Sequence, residues 1–129
     1  MYKKITPILI VDAIEPVLPF WQALGFEQVV AVPHGDRIGF VILVRDGVEV
    51  MYQTIASVRD DTPATLNGPH AVGGAAAVYI EVDDFDAVAA RVPKDAEVVV
   101  PRRVAPYGST ELFVRDPAGN IIGFSQPGA

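Results

Sequence analysis

An internal repeat runs through the whole chain and limits the folds that it can adopt. Val82-Asp83 follows Val11-Asp12 at a distance of 71 residues, and Val114-Arg115-Asp116 follows Val44-Arg45-Asp46 at a distance of 70. Nearly constant offsets across half a chain are the mark of a duplicated structural unit. The sequence therefore predicts two diverged copies of one module.

The last hairpin of each copy closes with a different turn. Asp46-Gly47 is a strong signal for a two-residue hairpin loop, whereas 116–120 reads Asp-Pro-Ala-Gly-Asn and is three residues longer. On this basis Gln126 is equivalent to Gln53 at an offset of 73. These offsets assign equivalent positions in the two copies.

Each copy has the same predicted order of elements, one strand, one helix and three strands, so the fold class is α+β. Asp12 with Glu15, and Asp83 with Asp86, resemble helix caps in front of apolar residues at helical spacing. Buried or alternating apolar runs predict the strands. They cover 5–11, 26–32, 38–45, 48–54, 76–82, 97–100, 110–115 and 120–126. We predict a single domain with module one at about 1–54, a linker at 55–74 and module two at about 75–129.

Composition excludes several classes of function. The 129 residues include no cysteine, so disulfides, thiolate metal sites and cysteine nucleophiles are excluded. A net charge of −6 argues against nucleic acid and anionic membranes as partners, because both require a basic surface. With no long apolar run and no targeting signal, we expect a cytoplasmic protein whose ligand is neutral or cationic.

The motifs resemble those of the vicinal oxygen chelate superfamily, which includes glyoxalase I, extradiol dioxygenases, fosfomycin-resistance enzymes and bleomycin-binding proteins. The resemblance implies that each module curls its sheet into half a barrel, that the concave faces enclose a ligand cleft, and that two chains form a homodimer. It covers nearly the whole chain and rests on Leu9-Ile10-Val11-Asp12, Phe20-Trp21, Leu24-Gly25-Phe26, Ile80-Glu81-Val82-Asp83-Asp84 and residues 114–122, Val-Arg-Asp-Pro-Ala-Gly-Asn-Ile-Ile.

Metal-dependent members of that superfamily place His, Gln or Glu on the first and last strand of each module. The corresponding positions here are Thr6, Ala77 and Gly123, none of which is a suitable donor for a divalent ion. The fourth position falls on Val50, although a one-residue slip would place Glu49 there and would decide whether that side chain faces the cleft. We therefore predict no metal cofactor, with a divalent metal as the alternative.

Catalytic residues are not evident. The two histidines, His34 and His70, lie in predicted loops and lack a spaced partner. There is no Gly-x-Ser-x-Gly motif. Acid-base catalysis by Glu49 or Glu111 in the cleft stays open.

The predicted cleft is mostly apolar, with a few polar groups, as small-molecule sites generally are. Its predicted ligand-binding residues are Thr6, Ile8, Val50, Tyr52, Tyr79, Tyr107 and Glu111, while Trp21 and Phe113 are assigned to the core or an interface. Two functions follow. One is a metal-free protein, resembling the bleomycin-resistance branch, that sequesters a drug or aromatic metabolite. The alternative is a metal-dependent enzyme of the glyoxalase or dioxygenase type with displaced metal ligands.

Overall fold

In the computed structural model, which describes residues 1–66 and 76–128, both halves of the chain have the predicted βαβββ order. Sheet A has the strand order β1-β4-β3-β2, and sheet B has the order β5-β8-β7-β6. The predicted α+β class is confirmed. The elements are β1 Ile8–Val11, a 3₁₀ turn Glu15–Val17, α1 Leu18–Ala23, β2 Glu27–His34, β3 Arg37–Arg45, β4 Val48–Thr54, α2 Ile55–Asp61, a 3₁₀ turn Pro63–Leu66, β5 Ala77–Glu81, α3 Phe85–Arg91, β6 Val98–Val104, β7 Thr110–Arg115 and β8 Ile121–Gln126.

The helix starts differ from the predicted ones. The 3₁₀ turn before α1 begins without a side-chain cap, and the Glu15 carboxylate instead accepts the backbone N–H of Ile38 at 2.8 Å, at the start of β3. In the second module the cap is Asp84, whose side chain accepts the N–H of Ala87. The predicted capping roles of Asp12 and Asp83 are therefore wrong.

Strand β6 is longer than predicted because it continues through Pro101 to Val104. A proline cannot donate to a β-ladder, so it is tolerated mainly in edge strands. Strand β6 is the edge of sheet B and pairs with β7 alone. The strand therefore includes Arg103, which the sequence prediction left outside it.

Among the described residues, one hydrophobic core joins both sheets to α1 and α3. It takes Leu9, Val41 and Tyr52 from sheet A, and Ile122 and Phe124 from sheet B, and packs them against α1 and α3. We call the surface of each sheet that points away from this core its open face. None of the helices in the described part of the chain is long and apolar enough to cross a bilayer.

The strand register corrects the equivalence between the two modules. Leu43 and Val114 both face the core, as do their cross-strand partners Val50 and Ile122. The true offsets are therefore 71 for β3 and β7 and 72 for β4 and β8, so the offsets of 70 and 73 read from the motifs are wrong. Because side chains alternate across a strand, a shift of one residue exchanges the two faces. The counterpart of Gly123 is thus Met51.

A buried hydrogen-bonded group joins the two modules. Trp21 Nε1 donates to the Tyr52 hydroxyl at 2.8 Å, and that hydroxyl donates to Asp116 Oδ2 at 2.5 Å. The other oxygen of Asp116 accepts the backbone N–H groups of Ala118 and Asn120, which fixes the turn between β7 and β8. Burial raises the pKa of Tyr52. The same carboxylate therefore closes a turn in module two and binds a side chain of module one.

Candidate functional site

The structure divides the predicted ligand-binding residues into two groups. Val50 and Tyr52 are buried in the core, so their predicted place on the cleft face is wrong. The error follows from the one-residue slip between the modules. The remaining five lie at the open faces: Thr6 and Ile8 at sheet A, and Tyr79, Tyr107 and Glu111 at sheet B.

The open face of sheet A carries a paired carboxylate. Glu49 Oε2 accepts hydrogen bonds from Lys4 Nζ at 2.8 Å and from the Thr6 hydroxyl at 2.9 Å. The hydrogen bond from Lys4, followed by that from Thr6, lowers the pKa of Glu49. Glu49, and not Val50, therefore shares a face with Thr6, although the corrected register places Met51 and not Glu49 at the fourth position.

Sheet B carries the most highly connected polar group on either open face. The side chain of Glu111, on β7, has no solvent exposure. Its Oε2 accepts the hydroxyls of Tyr79, at 2.5 Å, and of Tyr107. Its Oε1 accepts Nε and Nη2 of Arg103, at 3.1 and 2.8 Å. Three side chains from β5, β6 and the loop before β7 thus converge on one carboxylate, and we call these four residues the Glu111 cluster.

Arg103 was not among the residues predicted for the site. It is the direct cross-strand partner of Glu111, and directly opposed residues of an antiparallel pair point to the same face. The alternation of β6 would have revealed this, had the predicted strand not ended at Val100. The signal was present in the sequence, but the strand boundary concealed it.

The hydrogen bonds of the cluster shift its ionisation. Donation from Tyr107, then from Tyr79 and Arg103, holds the pKa of Glu111 below its usual value. The hydrogen bond to Glu111 raises the pKa of Tyr107 to about 12. At neutral pH Glu111 is therefore an ionised carboxylate and Tyr107 is a neutral phenol.

An aromatic ring fills the position that the last strand would use for a metal ligand. Phe113 is the cross-strand partner of Gly123, and a Cβ atom placed at Gly123 would lie 2.4 Å from the Phe113 ring. The centroid of that ring is 6.0 Å from the centroid of Tyr79. Glycine at 123 thus lets the ring lie flat on β8 and extends the aromatic surface of the Glu111 cluster.

The residues at the four expected metal positions do not suit a divalent ion. Thr6 offers one neutral hydroxyl, Ala77 has no donor atom, and Gly123 lies under a phenyl ring. The fourth position, Met51 in the corrected register, offers only a thioether. Within residues 1–66 and 76–128, no group of three or more His, Asp or Glu side chains is placed to hold a metal. His34 pairs with Asp60 at 2.6 Å, while His70 lies outside the described residues.

Two grooves lie on the helix side of the sheets. The larger, of about 760 Å³, runs between α1 and the turn after β7 and includes Phe20, Arg115 and Pro117. The second, of about 450 Å³, lies between α3 and the turn after β3. The two grooves lie at equivalent places, because each is formed by the helix of one module and the last turn of the other. Neither groove is lined by a member of the Glu111 cluster.

Known structures share this architecture. TioX from Micromonospora sp. ML1 matches with a TM-score of 0.78 and 20% identity over 98% of this chain and 99% of that one. A lactoylglutathione lyase from Agrobacterium tumefaciens matches at 0.73 and 21%, over 97% and 94%. A bleomycin resistance determinant encoded on the transposon Tn5 matches at 0.67 and 15%, over 98% of each chain. At these identities the similarity shows the fold alone.

Sequence comparison gives the family. No curated protein matches the chain significantly. A family model, described as Glyoxalase/Bleomycin resistance protein/Dioxygenase superfamily, matches residues 4–124 and thus nearly the whole chain. Together with the duplicated βαβββ fold, this match shows that the chain belongs to the glyoxalase/bleomycin resistance protein/dioxygenase superfamily.

Proposed function

We propose that the protein binds a planar aromatic small molecule on the open face of sheet B, without a metal ion. The observation that carries this proposal is the Glu111 cluster. Tyr79 and Tyr107 donate their hydroxyls to one buried carboxylate, which holds both rings in place. Their residues nevertheless remain 53% and 67% exposed. Two anchored rings with exposed surface can bury a flat ligand at a small cost in side-chain entropy.

The aromatic surface extends beyond the two tyrosines. Phe113 lies beside Tyr79 on the same face, and offset or tilted aromatic contacts are favourable. A ligand placed here would meet rings on one side and the polar atoms of Arg103 and the phenols at the edge. This combination of apolar area and few polar groups is typical of small-molecule sites.

The proposal that no metal takes part rests on the donor set. Thr6, Ala77 and Gly123 together provide one side-chain oxygen, that of the neutral Thr6 hydroxyl, whose O–H donates to Glu49. Such a set lacks the nitrogen and carboxylate ligands that divalent ions of this type require. One tightly held ion per purified chain, lost in Glu49→Ala, would instead support the metal-dependent enzyme.

We also propose that the open faces are covered by a second copy of the chain. Ile8 on sheet A is 52% exposed, about as much as Tyr79 on sheet B. The edge strand β2 adds the exposed side chains of Val30 and Val32 to the same open face as Ile8. Exposed apolar surface of this kind usually marks an interaction site. Sheet A of one copy against sheet B of the other would enclose the aromatic surface.

A thermal-shift titration tests the binding proposal. Neutral, anionic and cationic naphthalene derivatives are added to wild type and to Tyr79→Ala. Because a ligand that binds only the folded state stabilises it, at least one compound should raise the Tm of wild type. That shift should disappear in Tyr79→Ala and persist in Tyr2→Ala, which alters an exposed tyrosine outside the site. Equal shifts in both variants would contradict binding at this face.

A further inference from the structure

We propose that the ligand presents a hydrogen-bond acceptor, a carboxylate or carbonyl oxygen attached to its aromatic ring, to Arg103. This inference rests on the proposed function and adds the chemical class of the ligand. It follows from a count of the donor and acceptor positions that the Glu111 cluster has already used.

The carboxylate of Glu111 has no acceptor position left for a ligand. A carboxylate offers about four lone-pair sites on its two oxygens. Arg103 occupies two at Oε1, and the phenols of Tyr79 and Tyr107 occupy two at Oε2. The side chain is also fully buried. A cationic group on a ligand therefore cannot form a direct hydrogen bond with this carboxylate.

Arg103, in contrast, keeps unused donors. A guanidinium has five N–H groups and no acceptor, and Glu111 takes one from Nε and one from Nη2. Within the described part of the chain Arg103 donates no other hydrogen bond, and its side chain is 47% exposed. About three N–H groups thus remain at the edge of the aromatic surface. Only a ligand with a hydrogen-bond acceptor can form hydrogen bonds with them.

The phenol oxygens of Tyr79 and Tyr107 can each still accept a hydrogen bond from a ligand. From a neutral donor such a bond is roughly half as strong as one in which the donor is ionised. A cationic donor at either oxygen would lie beside the Arg103 guanidinium, which shares Glu111 with both phenols and repels it. An acceptor at Arg103 is therefore favoured over a donor at either tyrosine. A planar ligand that carries its acceptor at the ring edge can form this bond while it stacks on the rings.

Net charge does not reverse this preference. Arg103 and Glu111 cancel within the cluster, and charges elsewhere on the chain are screened beyond about 8 Å at physiological ionic strength. The overall charge of −6 therefore affects the approach of a ligand more than its binding geometry. The hydrogen-bonding geometry predicts an anionic or neutral acceptor, where composition alone suggested a neutral or cationic ligand.

The test compares two probes with the same ring system, 2-naphthoate and 2-naphthylmethylammonium. Their Kd values are measured by calorimetry on wild type, Arg103→Gln and Arg102→Gln. Arg102 is a matched control because it pairs with Asp86, away from the cluster, and its loss changes the net charge equally. Naphthoate should bind wild type at least tenfold more tightly than the ammonium probe. Arg103→Gln should weaken naphthoate about tenfold, and Arg102→Gln should leave it unchanged.

The outcomes separate this inference from the proposed function. If the ammonium probe binds as tightly as naphthoate, or if Arg102→Gln and Arg103→Gln weaken naphthoate equally, the acceptor inference is wrong while aromatic binding stands. If neither probe binds wild type, the proposed function fails and the inference fails with it. The comparison on wild type does not depend on a variant. Arg103→Lys, which keeps the charge but loses the planar fork, should lose most of the preference for naphthoate.

Discussion

At the scale of single residues, Glu111 shows how a buried charge can be accommodated in a small domain. A buried carboxylate is destabilising unless its oxygens are paired and hydrogen-bonded. Arg103 supplies the opposite charge, and Tyr79 and Tyr107 complete the hydrogen bonding. The same bonds orient two aromatic rings, so the stability of the fold and the proposed ligand binding depend on one group.

The lowered pKa of Glu111 predicts a dependence of stability on acid. Its stabilising contribution is present above the ordinary pKa of 4.5 and is lost as the pH falls through the lower folded value. The free energy of unfolding should therefore fall more steeply below pH 4.5 in wild type than in Glu111→Gln. Urea titrations between pH 3 and pH 7 measure this. The matched variant Glu97→Gln, at an exposed ion pair, should follow wild type; a Glu111→Gln curve parallel to wild type would contradict the prediction.

The raised pKa of Tyr107 predicts a second dependence, in alkali. The folded form holds its proton up to about pH 12, whereas an ordinary tyrosine ionises near pH 10. The contribution is therefore present below pH 10 and lost as the pH rises through 12. Unfolding measured between pH 8 and pH 12 should show a smaller alkaline loss of stability in Tyr107→Phe than in wild type. Tyr2→Phe provides the control, and a slope unchanged by Tyr107→Phe would refute the assignment.

The hydroxyl of Tyr52 should contribute measurably to stability. Tyr52→Phe leaves both the Trp21 N–H and an oxygen of Asp116 without this partner in a buried site. Loss of such a bond costs about 1–3 kcal/mol. Chemical denaturation should therefore show a lower free energy of unfolding for Tyr52→Phe, whereas Tyr2→Phe, at an exposed position, should match wild type. Equal stability of the two variants would exclude this role.

At the scale of elements, alternation and turn residues predicted most of the strands but not their register. Strands β4 and β7 have the predicted bounds, and Asp46 and Gly47 both take positive φ, as the Asp-Gly hairpin requires. The predicted register between the two modules was wrong because the repeat was aligned on Val-Arg-Asp by residue identity. Residue identity does not show which face of a strand a side chain occupies. The longer turn at 116–120 also takes up part of the difference in length between the two hairpins.

The flat packing of Phe113 on β8 depends on the glycine beneath it. Gly123→Ala should destabilise the fold by about 1–3 kcal/mol, since the new Cβ displaces the ring. In a Phe113→Ala background the same change should cost much less, because the two sites are in direct contact. A double-mutant cycle of unfolding free energies measures this coupling. Additive effects would show that the ring does not depend on Gly123.

At the scale of the whole molecule, the sequence predicted the duplication and the family but not the arrangement of the surfaces. The expected cleft placed Tyr52 beside Tyr79, whereas one shared core holds Tyr52 inside and leaves Tyr79 on an open face. The reason is that the modules pack through the faces that also receive their helices. A pattern of alternating residues reveals two faces of a strand, but it does not show which of them packs against the other module.

The exposed open faces predict a dimer in solution. Light scattering coupled to gel filtration should give twice the chain mass of 13.8 kDa. Ile8→Lys places a charge on the open face of sheet A and should shift the protein to a monomer. Val48→Lys makes the same kind of change at an exposed position on the helix side and should remain dimeric. A wild-type monomer would refute the pairing.

The bond between Tyr52 and Asp116 also bears on the history of the duplicated chain. Once the register is corrected, the counterpart of Tyr52 is Phe124 and that of Asp116 is Arg45, so the hydroxyl belongs to one module and its acceptor to the other. Two copies of either module could not reproduce this bond. Divergence has made the halves complementary, and each now specifies the other as its partner.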